Sequence, residues 1–108
     1  MLIFTRSYDV IVWLIQVTRH FLRMHRHDFT KRLLDAAFDM RERLEEANLR
    51  RAAARRERLN LADEALARLR LYVRLAVKMQ WLNVGQYEHV AAMLTEVGKL
   101  LGGWIKTA

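Results

Sequence analysis

The chain has 108 residues, with 19 lysines and arginines against 12 acidic residues, and neither cysteine nor proline. That length makes a single domain with a core of its own. Without thiols there is no disulfide framework, thiolate metal site or cysteine nucleophile, and 53% apolar residues is too many for a disordered basic tail.

The pattern predicts one all-α domain over residues 1–108, an up-down-up-down bundle of four helices. The first helix is expected from about Ser7 to Met24. Its longest apolar run, Val10 to Val17, is interrupted by Gln16 and followed by Arg19. A membrane-spanning helix needs about 20 such residues, so no span is expected. No small-residue cleavage site follows the run, and a cytoplasmic location is expected. The residues from Val10 to Ile15 cover the whole circumference of the helix. A helix apolar all round is buried all round, so part of it is expected to face another chain.

The polar turn His25-Arg26-His27 follows, with Asp28 as the expected N-cap of helix 2. Phe29, Leu33, Ala36, Met40, Leu44 and Ala47 then recur by threes and fours, and Asn48 signals the end. Helix 3 is expected to begin within Arg51 to Arg58 and to run to about Leu82. Its core stripe is Ala62, Leu66, Leu69, Val73, Ala76 and Gln80, the seam spacing of a left-handed bundle. Leu71 and Leu75 point roughly 160–180° from that stripe at about 100° per residue. Asn83 and Gln86 form a capping-box pair. Tyr87, Val90, Leu94, Val97, Leu101 and Trp104 line helix 4, and Ala91, Thr95, Gly98 and Gly102 give it a small face. The surplus apolar surface predicts a homo-oligomer with Val10, Trp13, Leu14, Leu71 and Leu75 in the interface.

Chemistry finds little support. His20, His25 and His27 are close in sequence, but no cysteine joins them and a helix end welcomes histidine. No metal or cofactor is expected. Asp35, Asp39, Glu42 and Glu46 make an acidic stripe without the Glu-x-x-His pairs of two-metal bundles. Asp39 with Arg43, and Glu46 with Arg50, are expected as surface ion pairs. The stripe is otherwise free to face a basic stripe on a neighbouring subunit. No Walker loop or nucleophile elbow is present. No catalytic residue is assigned, and the chain is not expected to be an enzyme.

The basic residues remain. Arg50, Arg51, Arg55, Arg56 and Arg58 put five positive charges in nine residues, against Glu57. Arg70, Arg74 and Lys78 form a stripe at i, i+4 and i+8. Arg19, Arg23, Arg26, Lys31 and Arg32 surround the first turn. Poorly neutralised arginine suits a phosphate backbone. Physics alone leaves nucleic acid, an acidic protein partner, or plain solubility.

Several segments resemble a known family. Ile3-Phe-Thr-Arg-Ser-Tyr-Asp9 followed by Val12-Trp-Leu14, then Ala62-Asp63 with Leu69-Arg-Leu-Tyr-Val-Arg-Leu75, and finally Glu96 to Ile105, are similar to accessory variability determinant (Avd) proteins of diversity-generating retroelements. The glycine-rich last segment is the most specific. The resemblance implies a five-fold homo-oligomeric barrel that binds a reverse transcriptase and nucleic acid. It implies a role in mutagenic retrohoming, in which error-prone copying of template RNA diversifies a target gene. Arg70 and Arg74 match the family's Arg-x-x-x-Arg, which makes them the expected transcriptase or RNA contacts. The related S23-type bundles share the fold. They leave an alternative, an interaction module with no transcriptase partner.

Overall fold

The computed structural model describes residues 1–21 and 23–108, and the side chains of residues 22–26 lie outside the described residues. Four helices follow in order: α1 (Leu2–Thr18), α2 (Arg23–Asn48), α3 (Ala52–Lys78) and α4 (Val84–Thr107). No proline interrupts them, and their Ala, Leu, Arg and Glu content favours helix. Each helix packs on its two neighbours, and among the described residues the backbones of the diagonal pairs α1–α3 and α2–α4 make no close approach. Successive helices are antiparallel. Along α1, Phe4, Arg6 and Trp13 meet Trp104, Glu96 and His89 of α4 in reverse order.

A 27-residue α3, at about 1.5 Å per residue, accounts for most of the 44 Å long axis of a body 24 and 19 Å across. One apolar core runs through all four helices. Buried alanines, Ala36, Ala37 and Ala47 on α2 and Ala62, Ala65 and Ala76 on α3, leave room for these two long helices to approach closely. Aromatic side chains close both ends. Phe29 meets Trp81 at 4.9 Å and Tyr72 at 6.0 Å, with Phe21 beside Trp81 at 5.9 Å. At the other end Phe4 and Trp104 meet edge to face at 5.8 Å.

The expected core positions of α2, α3 and α4 are buried, with Phe29 and Tyr87 partly so and one exception on α3. That exception is Gln80. The helix ends at Lys78, and Gln80 is exposed with φ 65°, a left-handed stop. Trp81 and Leu82 N–H both donate to the Ala76 carbonyl, and Leu82 fills the core in its place. The first connection also differs from expectation. Helix α1 ends at Thr18, six residues before Met24, and α2 is already helical at Asp28. Asp28 is therefore an exposed residue within the helix and not its cap. The turn is made by His20 and Phe21 N–H bonding back to Val17 and Thr18 carbonyls at 3.1 Å, which drops Phe21 into the core. Both halves of the capping box form, with Gln86 N–H on Asn83 Oδ1 at 2.8 Å and Asn83 N–H on Gln86 Oε1 at 3.0 Å.

Val10 and Leu14 are fully buried inside the single chain, so they are not available to an interface. They point at the bundle axis because positions four apart on a helix share a face. Trp13 is half-buried against His89 at 5.5 Å. The outward apolar residues of α1 are Leu2, Tyr8, Val12 and Ile15, while Leu71 and Leu75 on α3 are 46% and 41% exposed, as their angle from the stripe requires.

Candidate functional site

The basic residues divide by what their side chains touch. Arg50 Nη1 donates to the Glu46 carbonyl at 2.9 Å, and Arg55 Nε donates to the Ala47 carbonyl at 3.0 Å. Both close the C-terminal end of α2, whose last carbonyls lack helical partners. The Arg55 guanidinium also lies 5.8 Å from the Trp104 ring centre. Arg58 sits 3.4 Å from Glu46 Oε1, whose other oxygen accepts from Arg43 Nη1 at 2.6 Å. The Arg43 hydrogen bond holds the Glu46 carboxyl below the usual carboxylate range. Glu46 is thus the hub of the α2–α3 corner, and Arg50, Arg55 and Arg58 are largely spent on the fold.

The expected acidic pairs are rearranged. Asp39 pairs with Arg68 of α3 at 3.2 Å, not with Arg43, and Arg43 pairs with Glu46. Arg50 reaches the Glu46 backbone rather than its carboxylate. Antiparallel packing places α3 beside the acidic stripe, and spacing along α2 alone cannot show that. Asp35 is taken by Lys31 at 2.9 Å.

Arg51, Arg56, Arg74 and Lys78 are exposed, and among the described residues their side chains have no partner. Arg51 is the N-cap of α3, contributes no capping bond, and is followed by no acidic residue in the first turn. Its charge therefore adds to the positive end of the helix dipole. Arg74 and Lys78 continue with Leu71 and Leu75 as one exposed ridge along α3, since positions three and four apart are neighbours.

Arg70 is different from both groups. It is half-buried, and its Nη2 donates to the Leu94 carbonyl of α4 at 3.4 Å. It lies across Gly98, where a Cβ would overlap Arg70 Nη2 and touch Leu66 Cδ2 at 3.7 Å. Between α3 and α4 lies a cavity of about 150 Å³ lined by Arg70, Val73, Arg74, Tyr87, Ala91, Leu94 and Thr95. None of these residues is acidic. The Thr95 hydroxyl on the cavity rim donates to the Ala91 carbonyl at 2.9 Å. The small face of α4 therefore admits a guanidinium and borders a groove. Tyr87, read from its spacing as core, is one wall of that groove, and no sequence signal distinguishes those two roles.

His20 and His27 are exposed, and the His25 side chain lies outside the described residues. Among the described residues no group of three His, Cys, Asp or Glu is placed to hold a metal ion. No helix among them is long and apolar enough to cross a membrane.

These features define an all-α four-helix bundle. Its fold is that of a solved protein of unknown function from the S23 ribosomal protein family of Bacteroides thetaiotaomicron VPI-5482, with TM-score 0.88, 20% identity, and coverage of 97% of this chain and 96% of that one. The chain belongs to the bAvd-like family, whose pattern it matches over residues 1–108. No curated protein matches it.

Proposed function

We propose that the chain is the non-enzymatic accessory protein of a diversity-generating retroelement. It binds the element's reverse transcriptase and its template RNA or cDNA, and so supports mutagenic retrohoming. Membership of the bAvd-like family over the whole chain carries this reading. The free cations Arg51 and Arg56 support the RNA part of it, because unpaired surface charge is what phosphate contact needs. The protein supplies no chemistry in this role. It works as a homo-oligomeric, pentameric ring in which copies multiply one basic surface and hold polymerase and RNA together. The S23 likeness is one of fold and does not favour a module without a transcriptase.

The test is capture of the neighbouring transcriptase and of a single-stranded RNA by the purified protein across a salt series. Both are expected to bind at low salt and to weaken as salt rises. Arg51→Glu with Arg56→Glu is expected to weaken RNA binding and to reduce the slope of log affinity against log salt by about 0.7 per lost contact. Wild-type protein that captures neither partner at low salt rejects the reading.

A further inference from the structure

We propose that the α3–α4 groove receives a carboxylate from an acidic and apolar segment of a protein partner, and that Gly98 is the positioning residue that seats Arg70 to meet it. The assignment rests on the accessory function proposed above, and it gives the protein partner and the nucleic acid separate surfaces.

The groove carries cations without acids. Arg70 and Arg74 stand one helical turn apart on its α3 wall, and none of its seven lining residues is acidic. The nearest acidic positions on α4, Glu88 and Glu96, are not among them, and Glu96 is held by Arg6 at 2.7 Å. Arg70 is fixed at one end by Leu94, which leaves the rest of its donor fork unassigned. Arg74 is exposed and has no side-chain partner among the described residues. A fixed guanidinium beside a free one can grip a carboxylate from two sides.

The surroundings favour protein over nucleic acid. The groove is lined by Val73, Leu94, Ala91 and the ring of Tyr87. The ridge beside it interleaves Arg74 and Lys78 with Leu71 and Leu75, which are 46% and 41% exposed. A phosphate backbone has no apolar group to cover those leucines. A segment that alternates acidic and apolar side chains satisfies both charges and leucines at once.

Gly98 fits the same logic. Glycine inside a helix costs about 1 kcal/mol relative to alanine. An alanine there would meet the end of a flexible side chain and not backbone. The helix therefore tolerates alanine, and what alanine removes is the seat of Arg70. Gly102, four residues on, has open space around it and is the matched control.

The experiment follows backbone amide shifts in the full chain during titration. The probes are a short amidated helical peptide with glutamate and leucine on one face, the same peptide with lysine for glutamate, and a single-stranded RNA oligonucleotide. The acidic peptide is expected to shift Tyr87, Ala91, Thr95 and Gly98, and the lysine peptide is not. Gly98→Ala and Arg74→Ala should each weaken acidic-peptide binding about tenfold, the scale of one charge-assisted hydrogen bond. Gly102→Ala should leave binding unchanged. The melting temperature of Gly98→Ala should not fall, which separates a lost seat from a damaged fold. Its RNA affinity should stay within twofold. Peptide binding unaltered by Gly98→Ala and Arg74→Ala overturns the proposal, as does absence of binding at millimolar peptide. RNA that shifts the groove amides and displaces the peptide would assign the groove to nucleic acid instead. None of these outcomes depends on capturing the transcriptase, so the two readings fail separately.

Discussion

Gln80 shows how a single backbone angle separates a surface position from a core one. Its place in the 4-3-4-3-4 series makes it look like the last core residue of α3. Its φ of 65° ends the helix instead and turns the side chain outward. Left-handed backbone costs a residue with a Cβ roughly 1–2 kcal/mol, and glycine escapes that cost. Gln80→Gly is therefore expected to raise stability by about 1 kcal/mol, measured by urea denaturation. An unchanged or lower midpoint would show that the Gln80 side chain contributes something the turn geometry hides. No sequence rule marks this stop, because glycine or asparagine is the usual signal and neither stands there. The capping box was legible for the opposite reason. Its two side chains are three residues apart, and the bonds they make are local.

At the scale of helices, periodicity shows which face is buried but not which helix lies against it. The stripes of α2, α3 and α4 were readable because each is a repeat within one element. The all-apolar circumference of α1 was not resolvable in that way, since Val10 and Val12 are equally hydrophobic and only the packed bundle separates them. Leu14→Ala is expected to cost about 2–5 kcal/mol as a core truncation. Val12→Glu with Ile15→Glu is expected to leave the fold intact and to change its size by light scattering. If Leu14→Ala altered assembly without altering the unfolding midpoint, Leu14 would have to be returned to the interface.

The corner between α2 and α3 was equally hidden. Glu46 gathers Arg43 and Arg58, which come from two helices, and charge spacing along one helix cannot reveal such a hub. Its consequence is a dependence on acid. The folded carboxyl titrates below the unfolded one, so its contribution is complete above the ordinary carboxylate range. The contribution is lost as pH falls through the lowered folded value. Glu46→Gln is expected to be less stable than wild type at neutral pH, and the difference should shrink on acidification. Chemical denaturation at a series of pH values measures this, and a constant difference would exclude Glu46 as the titrating group.

For the molecule as a whole, the net charge of +7 says less than its distribution. Several of the arginines that make the sequence basic are occupied in holding α3 to α2 and α4. The field a polyanion meets comes mainly from the exposed remainder, and assembly into a ring would repeat that remainder around an axis. The two stripes singled out by spacing thus have unequal functions. The Arg50–Arg58 cluster is mostly internal bracing with two free members, whereas Arg74 and Lys78 are free along a mixed ridge. Only folding distinguishes them, because an arginine's partner is fixed by tertiary contact and its charge is visible in sequence either way.

Gly98 carries a consequence for anyone who evolves this bundle in the laboratory. A helix gains from alanine at that position, while the groove needs a vacancy there. A library screened only for heat resistance should enrich alanine at 98 and produce robust proteins deaf to their partner. A library screened for partner capture should purge the same substitution. The two enrichment profiles would diverge at this codon more sharply than at Gly102, its neighbour one turn away.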